Sequence, residues 1–191
     1  MFQELDKHIF IWLNQQHHVS IDTLMVLITE KWTWLPWYGL WIIWLFYRYR
    51  GRLFTWLVCL ALLVTLADQV SASLIKPFFA RLRPCHEASL QEFIYLLIPN
   101  CGGRFGFVSS HAANASVLAI WMSITIFKQN KLLQFIWVFW AVLVSYSRIY
   151  VGVHYPGDIL GGWVLGTFLA LGMKYFNTYF SLPITGLYKS S

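Results

Sequence analysis

The chain has 191 residues, 58% of them hydrophobic and 19% aromatic, with only 12% charged and a mean hydropathy of +0.56. These proportions exclude an ordinary soluble domain and make an integral membrane protein the default class. The net charge of +6 does not read as a nucleic-acid surface, because Lys and Arg are spread over loop ends as membrane topology requires.

Residues 1–18 place Phe2, Leu5, Ile9, Phe10, Trp12 and Leu13 among Glu4, Asp6, Lys7 and His8. That pattern is amphipathic but too polar to span a bilayer, and it predicts an interfacial helix. Acids come early and no small-residue cleavage site follows, so the segment is expected to be retained rather than removed as a secretory signal. The next apolar run, residues 35–47, is shorter than a span. It is expected to extend upstream towards Leu24 with a kink at Pro36, anchored by Trp32, Trp34 and Trp37 at one interface and Tyr47 and Tyr49 at the other.

A second span is predicted over residues 53–75. It contains Asp68, ends against Lys76-Pro77, and is followed by a long polar stretch to Phe107. Spans over residues 111–127, 132–150 and 159–176 complete the pattern, each near the length a helix needs to cross hydrocarbon. No repeat, low-complexity tract or linker divides the chain, which reads as one domain over residues 1–191. The fold class is all-α, an integral membrane helical bundle of five to six transmembrane helices with an N-terminal interfacial helix.

Arg48, Arg50 and Arg52 lie between the first two spans, Lys128 and Lys131 between the third and fourth, and Lys174 and Lys189 near the end. All these positions fall on one side, the cytoplasm by the positive-inside rule. The 77–107 loop and the link between the last two spans then share the external face. Lys76, Arg81, Arg83 and Arg104 run against the charge rule there, as a positive pocket for phosphate would require.

Three polar clusters meet on that face. Lys76 and Arg83-Pro84 alone read equally well as an interfacial basic stretch, and Arg81 as a headgroup contact or supporting charge. Ser109-Ser110-His111 precedes the small residues 112–116, a helix start whose free N–H groups favour an anion, although a plain Ser N-cap explains it too. In Ser147-Arg148, His154 and Asp158, the last two residues lie one helical turn apart beside Pro156. Asp158 can therefore fix the His154 tautomer while the other ring nitrogen attacks phosphorus.

Lys76, six residues, Arg83-Pro84; Ser-x-His at 109–111; and Ser147-Arg148, five residues, His154, three residues, Asp158 together resemble the type 2 phosphatidic acid phosphatase superfamily. The motif-bearing core covers about residues 53–176. The resemblance implies a six-helix, metal-independent phosphatase without a cofactor, the sixth helix coming from residues 1–30. In that pattern Lys76, Arg83 and Arg148 hold phosphate oxygens, and His154 forms a phosphohistidine oriented by Asp158. His111 is the general acid, with Ser109 and the backbone of Ser110 bonding the transferred group. The chain departs from the family's Pro-Ser-Gly-His at Val108 and Ser110, which puts the fine geometry of the anion pocket in question.

The apolar spans point to a lipid substrate entering from the bilayer, and the external site to an outer-leaflet lipid. Undecaprenyl diphosphate, phosphatidylglycerophosphate, phosphatidic acid and a lipid A phosphate are the candidates, in a bacterial inner membrane with the site facing the periplasm. A phosphotransferase uses the same first half-reaction, and a non-enzymatic carrier or scaffold is the alternative of another class. Oligomeric state stays open. Cys85 and Cys101, beside two of the motifs in the external loop, are expected to form a disulfide, with free thiols as the alternative; Cys59 reads as a core residue. A metal site joining His86 and Glu87 to His111 or His154 lacks a ligand pattern. Asp68, inside a span, is either functional or a structural partner of Ser71 or a neighbouring helix.

Overall fold

A computed structural model describes residues 2–180, without the side chains of residues 2, 51 and 52. Lys189 and the side chain of Arg52, both used above to orient the chain, lie outside the described residues. The elements are α1 (Phe2–Asn14), α2 (Val19–Thr29), α3 (Leu35–Tyr49), α4 (Gly51–Gln69), α5 (Lys76–Phe79), α6 (Ser110–Thr125), α7 (Lys131–Tyr150) and α8 (Pro156–Tyr179). A π-helical turn at Val70–Ile75 joins α4 to α5. The strand-like pairing among the described residues is a single antiparallel bridge, Leu82 to Phe105.

Among the described residues, three helices are long and apolar enough to cross a membrane: Leu53–Phe79, Lys131–Tyr150 and Pro156–Tyr179. Helix α6, with 16 residues, runs about 24 Å and packs against α4, α7 and α8. Small residues permit that packing. Gly162 and Gly166 lie one turn apart on α8, and a Cβ at Gly162 would stand 2.6 Å from the Ser109 carbonyl and 2.9 Å from Ala112 Cβ. The α6–α8 seam is thus a close backbone approach of the small-xxx-small kind.

The span expected over residues 24–47 is two helices rather than one kinked helix. The Glu30 N–H bonds back to Val26 and Leu27, closing α2, and a 3-10 turn at Lys31–Trp34 redirects the chain. Pro36 sits in the first turn of α3, where its missing N–H leaves no bond unmade.

Helix α1 is amphipathic in an inverted sense. Its outer face carries Leu5, Ile9 and Trp12, all exposed, whereas Asp6, Phe10 and Asn14, spaced four apart, are buried. Asn14 donates to the carbonyls of Tyr95, Ile149 and Tyr150 and accepts the Tyr95 N–H, so it ties α1 to the 77–107 loop and to the end of α7. The apolar outer stripe suits a helix lying against lipid while its polar residues reach inward.

Candidate active site

The π turn precedes Lys76, and Pro77 follows directly. A wide turn of this type accommodates a proline that cannot donate to the preceding helix, and such turns recur at functional sites. Lys76 Nζ donates to Ser110 Oγ at 2.7 Å, and Ser71 Oγ lies 2.7 Å from the same hydroxyl. The Ser110 hydroxyl, the point where the chain leaves the family pattern, therefore holds Lys76 against the start of α6. Ser109 is fully buried and caps α6 by accepting the Ala112 N–H at 3.4 Å.

The loop beyond α5 is folded back on itself. The Arg83 N–H bonds to Arg104 O and the Gly106 N–H to Arg81 O, beside the Leu82–Phe105 bridge. Cys85 and Cys101 are paired across this fold with Cα atoms 6.5 Å apart. The arrangement delivers Arg83, 8% exposed, to His154: Nη1 lies 3.2 Å from Nε2, while Nε donates to Phe105 O. Gly106 makes this approach possible, since a Cβ there would stand 2.8 Å from Asp158 Oδ2.

His154 is 1% exposed, and its backbone N–H and that of Val153 both bond to the Arg148 carbonyl, so the link from α7 to α8 wraps back on Arg148. His154 Nδ1 lies 3.2 Å from Asp158 Oδ2, and the Tyr155 N–H donates to the same oxygen at 3.0 Å. A guanidinium can only donate. Nε2 is therefore the acceptor and Nδ1 carries the proton, donated to Asp158. Burial, and after it the positive charges of Arg83, Arg148, Lys76 and Arg81, hold the imidazole well below the ordinary histidine pKa, so the ring is neutral with a free lone pair on Nε2. Burial likewise lowers the pKa of Arg83, which still leaves a guanidinium charged.

Arg148 is 7% exposed; Nη1 donates to Thr29 Oγ1 at 2.6 Å, and its buried Nε has no partner among the described residues. A buried unpaired guanidinium donor is a position for an anionic acceptor. His111, in the first turn of α6, lies within electrostatic reach of Arg148, His154, Arg83 and Lys76. The three polar clusters thus come together at one end of the bundle.

Two acidic contacts escaped the sequence reading. Arg81 Nη1 donates to Asp158 Oδ1 at 3.0 Å and Nη2 to Asp6 Oδ2 at 2.6 Å, and its guanidinium stacks over Tyr155 at 4.1 Å. Asp6 also accepts the Gly157 N–H at 2.8 Å. Arg81 is thus a part-buried bridge between α1 and Asp158, which matches the supporting charge of the two readings rather than the headgroup contact. The signal for Asp6 was its place with Phe10 and Asn14 on one face of a helix whose opposite face is apolar.

Asp68 is joined to α6: its Oδ1 accepts Asn114 Nδ2 at 2.9 Å, whereas Ser71 donates to the Asp68 backbone carbonyl. The metal-ligating grouping among the described residues is Cys85, His86 and Cys101, within 4.8 Å of one another, and pairing of the cysteines occupies both sulfurs. His86 is exposed and lies 3.5 Å from Gly102 O. Cys59 is buried, as a core residue should be.

Fold and site define an all-helical membrane protein with cations and a neutral histidine gathered at one end. The PAP2 superfamily model matches residues 54–181, and the chain belongs to that superfamily of phosphoric-ester hydrolases. It is 37% identical over 179 residues to a lipid A 4'-phosphatase of Porphyromonas gingivalis, covering 92% of this chain and 73% of the relative. It is 30% identical to an undecaprenyl-diphosphatase of Sulfolobus acidocaldarius, covering 85% and 73%. The crystal structure of LpxE from Aquifex aeolicus superposes with a TM-score of 0.68 at 25% identity, covering 90% of this chain and 95% of that one.

Proposed function

We propose that this protein is a bacterial inner-membrane phosphatase that removes a phosphate monoester from an outer-leaflet glycolipid of the lipid A class, without a metal. Lys76, Arg83 and Arg148 hold the phosphate oxygens, the phosphate taking over the guanidinium that rests on Nε2 in the free protein. His154 Nε2 attacks phosphorus, the P–O bond to the lipid breaks, and His111 protonates the departing alkoxide. Asp158 keeps the proton on Nδ1 and balances the positive ring of the phosphohistidine. His111 then takes a proton from water, which attacks phosphorus, releases phosphate and returns the electron pair to Nε2. Three fixed cations supply most of the stabilisation, because they already face the position where charge develops.

The observation that carries this reading is the hydrogen bonding of His154. Asp158 on one nitrogen and Arg83 on the other leave a neutral ring whose lone pair points at the cation cluster. Identity to a lipid A 4'-phosphatase, higher than to an undecaprenyl-diphosphatase, supports the glycolipid over a polyprenyl diphosphate. The external orientation is supported by the dispersed cytoplasmic-side cations. The test is phosphate release by the detergent-purified protein from lipid A, polyprenyl diphosphate, phosphatidylglycerophosphate and phosphatidic acid, all with EDTA. Release from lipid A that vanishes in His154→Ala is expected. A requirement for added metal, or activity that survives loss of His154, overturns the reading.

A further inference from the structure

Between α3 on one side and α4, α6 and α7 on the other lies a cavity of about 560 Å³, within the range of small-molecule sites. Its lining changes character with depth. At the external end it is walled by Ser110 and His111, with Asp68 and Asn114 beside them; below that come Leu60, Leu118, Met122, Trp41 and Trp137. From Ser110 to Met122 along α6 is about 18 Å, room for roughly a dozen methylenes in an extended chain with bonds near 1.5 Å.

The deep walls are mostly apolar, with the unpartnered indole N–H groups of Trp137 and Trp140 as isolated donors, so a hydrocarbon fills them better than a water cluster does. Continuity with Ser110 and His111 says whose hydrocarbon it is, since a chain seated here begins beside the phosphate position. The neck adds a second requirement. Asp68 Oδ1 already accepts from Asn114 Nδ2, which leaves the buried Asn114 Oδ1 without a partner among the described residues. It is an acceptor awaiting a donor. A polyprenyl chain has none, whereas an amide-linked or hydroxylated acyl chain carries an N–H or O–H close to its head.

We propose that this cavity seats one acyl chain of the substrate, and that Asn114 accepts a hydrogen bond from the amide or hydroxyl at the head of that chain. The inference rests on the glycolipid phosphatase reading and adds to it a chain-length gauge closed by Trp41 and Trp137, with a filter at Asn114.

The test uses the full chain in detergent with three probes: N-tetradecanoyl-glucosamine 4-phosphate, its N-acetyl counterpart and farnesyl phosphate. Leu118→Trp and Leu60→Trp plug the cavity from opposite walls. Each plug is expected to lower kcat/KM on the tetradecanoyl probe at least tenfold relative to the N-acetyl probe, which serves as the folding reference. Asn114→Leu is expected to lower the ratio of tetradecanoyl probe to farnesyl phosphate about tenfold. A long-to-short ratio unchanged in both plug variants overturns the proposal and leaves the cavity to bulk lipid. An unchanged ratio in Asn114→Leu removes the filter. Silence of the unmodified protein towards all three probes overturns the hydrolase reading, and this inference with it.

Discussion

At the end of the bundle that carries the site, segments far apart in sequence meet through charged hydrogen bonds. Helix α3 meets its neighbours differently, through ring edges such as Tyr38 on Trp140 and Trp41 on Phe127, and it borders a cavity. The contrast matches the two tasks proposed above. Stabilising a transferring phosphoryl group requires dipoles and charges fixed beforehand, whereas admitting a hydrocarbon chain requires a wall that forms few specific bonds. Both regions share α6, whose first turn belongs to the site and whose body lines the cavity.

Four measurements test this contrast. The largest stability effect is expected from reduction of Cys85–Cys101. Its sequence separation of 16 corresponds to about 3 kcal/mol in the chain-entropy model, seen as a lower Tm on adding reductant. Thiol labelling should reach both cysteines only after reduction. Labelling of both without reductant would show that the loop carrying Arg83 is not clamped.

Gly162→Ala comes next, because its Cβ would press on the Ser109 carbonyl and Ala112. A loss of about 2 kcal/mol is expected for such overpacking, read as a lower Tm together with a lower kcat, since Ser109 must shift. If the rigid seam claimed for α6 and α8 is absent, both values stay at those of the parent.

Asp6→Asn removes a charge from the Arg81 bridge while its side-chain oxygen can still accept the Gly157 N–H. Arg81 then bears on Asp158 alone, which shifts the carboxylate that orients the His154 ring. A fall in kcat of about tenfold with KM unchanged is expected, as for other groups that orient a reacting residue. A change confined to KM would place Asp6 at substrate binding instead.

The smallest effect is on pH dependence. An unfolded chain takes up a proton on His154 near pH 6.5, and the folded site resists it because burial and nearby cations lower the imidazole pKa. Stability should therefore be level above pH 6.5 and fall below it, by at most about 1.4 kcal/mol per pH unit from this group. The acid limb of kcat/KM that belongs to His154 should lie below pH 6.5 for the same reason. A limb above pH 7 would mean a charged ring at rest.

The legible part of this molecule was the part written in local spacing. The gathering of Lys76, Arg83, Arg148, His154 and Asp158 at one end was readable because their motifs sit beside helix ends at fixed intervals. The spans over α4, α7 and α8 were readable from unbroken apolar runs. The Asp6–Arg81 bridge was not, since it joins residues 75 positions apart and leaves no interval to read. The break between α2 and α3 escaped for another reason. Trp32 and Trp34 read as interface anchors of one longer span, whereas the backbone bonds that close α2 at Glu30 show a turn beside the charged pair Glu30-Lys31. Ser110 was a departure from a pattern until its hydroxyl was seen to hold Lys76.

The central claim is that phosphate passes through His154, and trapping it there is the most direct test. Protein mixed with lipid A radiolabelled on phosphorus is quenched in alkali within a turnover, and the label is mapped to peptides. Label that is stable to base and labile to acid is expected on the peptide carrying His154, and none in His154→Ala. Turnover that proceeds with no protein-bound label at any quench time, or with label on another residue, would contradict it.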